Sequence, residues 1–463
     1  MSSIPASAVK SSAVSNSSVR SLAQAPAYRI TSAGLFVWGK KSALSLTDQA
    51  LTSGASFAVN LLLARWLPGE AYGAFAVAFA AYLFVTGFYN VLLLEPLSVM
   101  GPSRHSANLP SYFLVQVKLH ILLTGILSMA ALVTGLILWE FMPQSPLLSA
   151  ILGAGITLPL LLFLWLTRRM CYVVQRPKIA VIGSACYLAF VVMGLFLLQH
   201  LGHLDAFAGF LLLGGGSMFS GIILAWLLGL KRDPTGEENV SWRTVLLENW
   251  TYGRWLAGGT VLSSVSSQMQ TFLVAALLGL SAAGVFRAVQ IPMLVMTQVV
   301  FAVGPVILPA FSYDFGRGAV RGMRRKATLV SLGLGTAALC FVAFMATFAM
   351  PIEHLLFGDK YSAYAGLIWI LALIPVAQGF SLGFSMALRA SQTPHFDLVA
   401  NGIAAPVAVI SAIVLIRWFG LTGAAISLVA GFVTYSVVTI YVYFFHGEKL
   451  TPLNAIQKCG NNS

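Results

Sequence analysis

Apolar runs recur twelve times along the chain, at 44–66, 72–96, 112–139, 147–170, 179–200, 206–230, 252–279, 283–309, 327–350, 365–388, 396–417 and 422–445. A helix that crosses a bilayer needs roughly 20 residues, and each run reaches that length. A membrane strand would be shorter and would alternate. Backbone groups in lipid must also bond within their own segment, so the runs predict helices. The expected fold is all-α, a polytopic membrane protein of about twelve transmembrane helices.

Composition agrees. Hydrophobic residues make up 58% of the 463 and charged residues 9%, with a mean hydropathy of +0.85. A soluble domain carries about 25% charged residues, so lipid must be the solvent here. The net charge of +13 would suggest nucleic acid in a soluble protein. Its distribution excludes that partner. With the N-terminus inside, the Lys and Arg residues gather in the leader, in alternate loops and in the tail. Only Arg65, Lys360 and Arg417 fall in the other loops, and Arg287 lies within a span. So lopsided a split supports an even helix count and places both termini in the cytoplasm, with membrane lipids as the chain's surroundings.

Residues 1–40, rich in Ser and Ala with scattered Lys10, Arg20 and Arg29, read as a disordered cytoplasmic leader without a cleavable signal. The remaining chain divides into an N-terminal six-helix lobe (41–230), a cytoplasmic linker (231–250), a C-terminal six-helix lobe (251–446) and a cytoplasmic tail (447–463). The four cysteines, Cys171, Cys186, Cys340 and Cys459, have neither metal-ligand spacing nor a disulfide pattern.

The two lobes resemble each other. At a shift of 211, Ala71-Tyr72-Gly73-Ala74-Phe75 meets Ala282-Ala283-Gly284-Val285-Phe286, each opening a second helix after a very short turn. Arg168…Gln175-Arg176-Pro177 likewise resembles Arg389…Gln392-Thr393-Pro394. Six helices per half make the repeat parallel, with two pseudo-symmetric lobes about an axis along the membrane normal.

The first helix carries Gln49, Ser53, Ser56 and Asn60, spaced four, three and four, on one face. At the same shift the seventh carries Thr260, Ser264, Ser267 and Thr271. Equivalent polar faces of this kind either line a cavity between the lobes or serve close helix packing and interhelical hydrogen bonds; their recurrence on both leading helices favours the cavity.

Ionisable groups at membrane depth are costly and mark candidate sites. Asp48, Glu95 and His120 are candidates for coupling to an ion gradient. Their plainer roles are a helix cap or interface contact, a pairing with a nearby basic residue, and a buried hydrogen bond. Arg287, Lys118 and Gln290 are candidates for a substrate headgroup. Arg287 and Lys118 could instead extend to the membrane interface, whereas an inward Arg287 would offer a fork suited to phosphate. Arg254 and Trp255 form either a rim or an interface anchor. No catalytic constellation, nucleotide-binding loop, metal motif or cofactor site is legible, and the non-basic loops are short apart from 351–365.

The stretch Leu46-Thr47-Asp48-Gln49-Ala50-Leu51, through Asn60-Leu61-Leu62-Leu63-Ala64-Arg65-Trp66-Leu67 and on to Glu70-Ala71-Tyr72-Gly73, resembles the opening of bacterial polysaccharide-export flippases. These belong to the multidrug/oligosaccharidyl-lipid/polysaccharide exporter superfamily. The resemblance implies two lobes forming an inward-facing V with helices one and seven at its centre. It implies a polyprenyl-pyrophosphate-linked oligosaccharide as cargo in the bacterial inner membrane, alternating access, and polysaccharide polymerase and glycosyltransferases as partners. A set of arginines matching the family's does not emerge. A multidrug or cation antiporter of the same superfamily is the first alternative, and a membrane glycan transferase or polymerase the second.

Overall fold

The computed structural model describes residues 32–229, 240–391, 393 and 395–446. The basic leader residues, the linker from 230 to 239, Gln392, Pro394 and the tail with Cys459 lie outside the described residues, as does the Trp255 side chain. The chain divides into Met1–Ala43 and Leu44–Ser463; what is described of the first unit is helical from Ser32, and all that follows concerns the second.

The described chain is helical with no strand. In order, α1 is Ser32–Trp66, α2 Gly69–Arg104, α3 Leu109–Phe141, α4 Pro146–Val173, α5 Pro177–His200 and α6 Ala206–Leu227. Then come α7 (Trp242–Leu278), α8 (Leu280–Gly316), α9 (Val320–Phe357) and α10 (Gly366–Ala390). The last stretch, His395–His446, breaks at Gly420, whose φ of 56° and ψ of −131° are left-handed and suit glycine. It forms α11 (395–419) and α12 (421–446), and α12 runs back along α11 with Gly431 against Ala408. Ten described stretches are long and apolar enough to cross a membrane, and the last of them counts twice. The remaining crossing is α1, whose polar stripe dilutes its apolarity. It runs beside α4 from Asp48 near Arg168 to Leu63 against Gly209 at the start of α6.

Twelve helices are therefore the number read from the pattern, with two shifted boundaries. Helix α1 begins at Ser32, inside the expected disordered leader, because Leu35, Phe36, Val37 and Trp38 prolong the apolar pattern. Helix α7 begins at Trp242, shortening the expected linker, since Val245 is buried and anchors that first turn.

Turn chemistry fixes the ends. Ser145 accepts the Leu147 N–H (3.3 Å) ahead of Pro146, and Asp205 accepts that of Ala208 (2.7 Å). Helix α2 does not close at Glu95-Pro96. It passes through a π turn at Asn90–Leu94 and continues to Arg104. In that register Pro96 cannot donate to the Val91 carbonyl. Gly253 of α7 packs on that carbonyl so tightly that a Cβ would lie 2.6 Å away.

Within lipid the apolar effect does not drive helices together, so fit and small residues must. Exposed Ile126, Met129, Phe141, Met193 and Trp226 give the outside its lipid-facing character. The largest buried cluster belongs to the first half, built on Tyr72, Phe75, Tyr89 and Phe210; a second, around Phe286, Ile368 and Leu428, belongs to the second half. The halves meet through α2, which packs on α7 and α8. There Gly73 faces Leu280, with a Cβ on it 1.7 Å from that carbonyl. Gly284 faces Gly69, with a Cβ 2.8 Å from its carbonyl. These pairs are reciprocal at the shift of 211, which is what a two-fold axis between the halves requires.

Candidate functional site

The loops after α2, α4, α6, α8 and α10 define the basic face, and the short α1–α2 and α7–α8 turns lie at the far face. Along α1, Gln49 is exposed, Ser53 half-buried, Ser56 exposed and Asn60 buried. Along α7, Thr260, Ser264 and Ser267 are half-buried and Thr271 is buried. The α1 stripe thus goes from exposed near the basic face to buried near the far face, and the α7 stripe stays half-buried until Thr271 is buried. The seal is the Gly73–Gly284 contact together with Asn60, whose Oδ1 accepts the Arg287 Nε–H of α8 (3.2 Å).

The two flanks of the stripes differ. On one flank α2 lies against α7 throughout. A Cβ on Gly87 would lie 2.9 Å from the Thr260 methyl and 3.3 Å from the Ser264 hydroxyl, so these two stripe residues serve close packing. The α2–α3 corner then reaches the foot of α7. Glu248 pairs with Arg104 (3.1 Å) and His105 (2.9 Å), and Gln116 and Asn249 exchange amide hydrogen bonds (3.2 and 3.4 Å). Burial pushes the Glu248 pKa up, but the bonds and charges of His105 and Arg104 outweigh it and hold the carboxyl below the ordinary glutamate value. On the other flank, the positions equivalent to Gly87, Thr260 and Ser264 are Gln298, Gln49 and Ser53. Gln298 and Gln49 are exposed, and among the described hydrogen bonds Gln49 has one, to Ser53 of its own helix (3.3 Å). Val295 and Val299 nearby are each about half exposed. Among the described hydrogen bonds, the α1–α8 seam is joined at Asn60–Arg287 alone, near the far face.

Arg287 lies seven residues into α8, about 10 Å along it, because the helix starts at Leu280, earlier than the sequence indicates. Its guanidinium sits over the Phe79 ring (5.3 Å), and no described carboxylate pairs with it. Two buried donors near it have no partner among the described residues: Gln290 Nε2, three residues on, and the Tyr72 hydroxyl, which lies within electrostatic reach of Arg287. A guanidinium without a described carboxylate, beside two unmet donors, is an arrangement that accepts an anion. Lys118 is not part of it. That residue is exposed on α3 toward the basic face.

The coupling candidates fall in three separate places. Asp48 is 1% exposed and far inside α1, so it is no helix cap. Its carboxylate accepts from Arg168 Nε (3.3 Å) and NH2 (2.6 Å), from the Tyr172 hydroxyl (2.5 Å) and from the Ser184 hydroxyl (2.5 Å). That network ties α1 to α4 and α5. Sequence reasoning placed Arg168 among the basic-face loop residues and missed this pair. The signal it offered was Arg168 lying five residues inside the end of an apolar helix. Glu95 accepts from Asn90 (3.1 Å), which in turn accepts from Arg169 (3.1 Å), at the π turn. His120 is hydrogen-bonded through Nδ1 to the Tyr89 hydroxyl (2.8 Å) within the first-half core. Near it, Ser128 of α3 donates to the Gly155 carbonyl (2.5 Å), which Pro159 leaves without its helical donor.

The fold is that of a multi-pass membrane protein and is shared with solved transporters of the MOP superfamily. The chain superposes with a TM-score of 0.74 on an inward-facing multidrug resistance MATE family transporter of that superfamily, at 13% identity, covering 89% of this chain and 96% of the other. An outward-facing MATE structure fits less well, at 0.64 with 12% identity over 88% and 95%. The lipid II flippase MurJ in an inward closed conformation matches at 0.65 with 11% identity over 85% and 86%. Residues 38–313, more than half of the chain, match the family described as polysaccharide biosynthesis protein, and the chain belongs to that family. An uncharacterised membrane protein of Methanocaldococcus jannaschii is 28% identical over 236 residues, half of this chain; the chain spans 45% of that relative's length.

Proposed function

We propose that the protein is a flippase that moves a polyprenyl-pyrophosphate-linked oligosaccharide across the bacterial inner membrane by alternating access, for cell-surface polysaccharide biosynthesis. The observation that carries the reading is the pair of polar stripes, with α1 exposed toward the basic face and both helices buried toward the other. With that face in the cytoplasm, as the positive-inside rule directs, the cavity is open to the side where the cargo is made. Hydroxyl and amide groups suit a sugar. Arg287, bonded to Asn60 but with no described carboxylate, and with Gln290 and Tyr72 beside it, suits a diphosphate. The α1–α8 flank, unjoined over its basic half, lets a polyprenyl tail stay in lipid while the headgroup enters. Rocking of one half against the other about the continuous α2–α7 flank would then present the glycan to the far side.

The antiporter alternative needs a free acidic group in the cavity. Asp48, the acid that sequence reasoning offered for it, is engaged by four hydrogen bonds. Polysaccharide polymerase and glycosyltransferases are the partners this reading implies. The test is reconstitution in liposomes with a fluorescent polyprenyl-diphosphate glycan, scoring movement between leaflets by a membrane-impermeant glycosidase. Movement that depends on the protein supports the reading. Dye or cation exchange without glycan movement overturns it.

A further inference from the structure

The connection between α9 and α10 belongs to the second half by sequence but lies in the first half's core. Phe357 and Tyr361 cluster there with Leu63, Leu67 and Tyr72, and their rings meet edge-on at 5.2 Å. Gly358 and Asp359, both left-handed (φ 63° and 66°), reverse the chain between them. The reversal sets Lys360 and Tyr361 on the end of α1. The Lys360 ammonium donates to the carbonyls of Ala64 (2.7 Å) and Leu67, and the Tyr361 hydroxyl donates to that of Ala64 (2.9 Å).

The reason lies in the sequence. The residue four beyond Ala64 is Pro68, which has no N–H, so the Ala64 carbonyl has no helical donor. A lysine there also meets the negative end of the α1 dipole. Glu353 holds the arrangement from behind. It is fully buried, its Oε1 accepts the Tyr361 N–H (2.7 Å), and its Oε2 has no partner among the described residues.

We infer that segment 353–361 is a strap that holds the far face shut by gripping the end of α1, with Glu353 as its positioning residue. Opening that face requires Lys360 and Tyr361 to leave the α1 carbonyls and the two aromatic rings to leave the first-half core. The inference rests on the alternating-access reading above.

The test uses the full chain with its four cysteines replaced by alanine and Val77→Cys as reporter. Val77 is a first-half residue that sits, 9% exposed, in the second half's core. A membrane-impermeant maleimide is applied from the face bearing the α9–α10 loop. Lys360→Met with Tyr361→Phe should raise the labelling rate by about tenfold or more, the population shift expected when charge-assisted hydrogen bonds are lost. Glu353→Ala should do the same. Glu353→Gln keeps the acceptor for Tyr361 and should label at the parent rate, as should Lys326→Met on the opposite face. Insertion and monodispersity in detergent establish that each variant folds.

Equal labelling of the parent, the Lys360→Met/Tyr361→Phe variant and the Glu353→Ala variant overturns the strap. So does fast labelling of Glu353→Gln, which would remove the positioning role. The readout needs no substrate. Fast-labelling strap variants in a protein that moves no glycan would leave the strap standing and bring down the export reading.

Discussion

The Asp48–Arg168 pair offers the sharpest energetic test. Arg168 is 6% exposed and Asp48 1%. Replacing Arg168 with Met keeps most of the side-chain volume but leaves a buried carboxylate held only by the Tyr172 and Ser184 hydroxyls. Breaking a buried pair from one side costs about 3–5 kcal/mol, because the remaining charge is uncompensated. Asp48→Leu strands the guanidinium in the same way and should cost more, because it also orphans the Tyr172 and Ser184 hydroxyls. The double variant removes both charges. It should lose only what the two orphaned hydroxyls cost, about 1–3 kcal/mol each, a loss that Asp48→Leu already carries and that cancels in the cycle. The single losses therefore sum to far more than the double loss, with a coupling energy of at least about 3 kcal/mol.

The assay is a double-mutant cycle on denaturant unfolding of the purified protein in detergent, followed by export of the labelled glycan. Additive single losses would refute the premise that these two side chains share one buried site. A double variant of full stability that exports nothing would refute the structural assignment of Asp48 and return it to ion coupling.

Arg287→Ala should abolish or greatly reduce glycan export while membrane insertion stays intact, and Arg287→Lys should restore only part, because an ammonium lacks the bidentate fork; unchanged export would leave Arg287 only its structural contact with Asn60. Gly73→Val should prevent the far face from sealing, since its Cβ meets the Leu280 carbonyl, and Gly284→Val should act alike; impermeant labelling of Val77→Cys from that face reads both. The Glu248 carboxyl is held below its ordinary pKa, so its bonds to Arg104 and His105 contribute their full stability only at pH above the ordinary glutamate value. That contribution is lost as pH falls through the lower, folded value. Thermal melts across the acid range should show this loss in the wild type and its absence in Glu248→Gln.

The legible part of this protein follows from solvent. Lipid demands long apolar segments with satisfied backbones, so the twelve crossings could be counted before any was seen. The shift of 211 also identified Gly73 and Gly284, which meet across the interface between halves. Side-chain partners were less accessible. Arg168 reads as one more basic-face residue, because nothing in local sequence says that Asp48, 120 positions earlier, will lie beside it. Glu353 and Lys360 were hidden for the same reason, although Pro68 had already announced an unsatisfied carbonyl at Ala64.

The difference between the two flanks could not have been read from the stripes themselves. Gln49 and Thr260 stand at equivalent positions of a repeat and carry the same polar signal, yet one is exposed and the other packs on Gly87. A pattern repeated in both halves speaks for both flanks equally, while a single conformation need not honour that equality. The choice of which flank stands open therefore rests on what replaces Gly87 in the second half. Gln298 carries a long amide where the first half has no side chain, so α8 cannot approach α1 as closely as α2 approaches α7. Gln298→Gly is then the substitution that should let the open flank close, and a protein so changed should admit a tailed lipid less readily than a water-soluble glycan diphosphate.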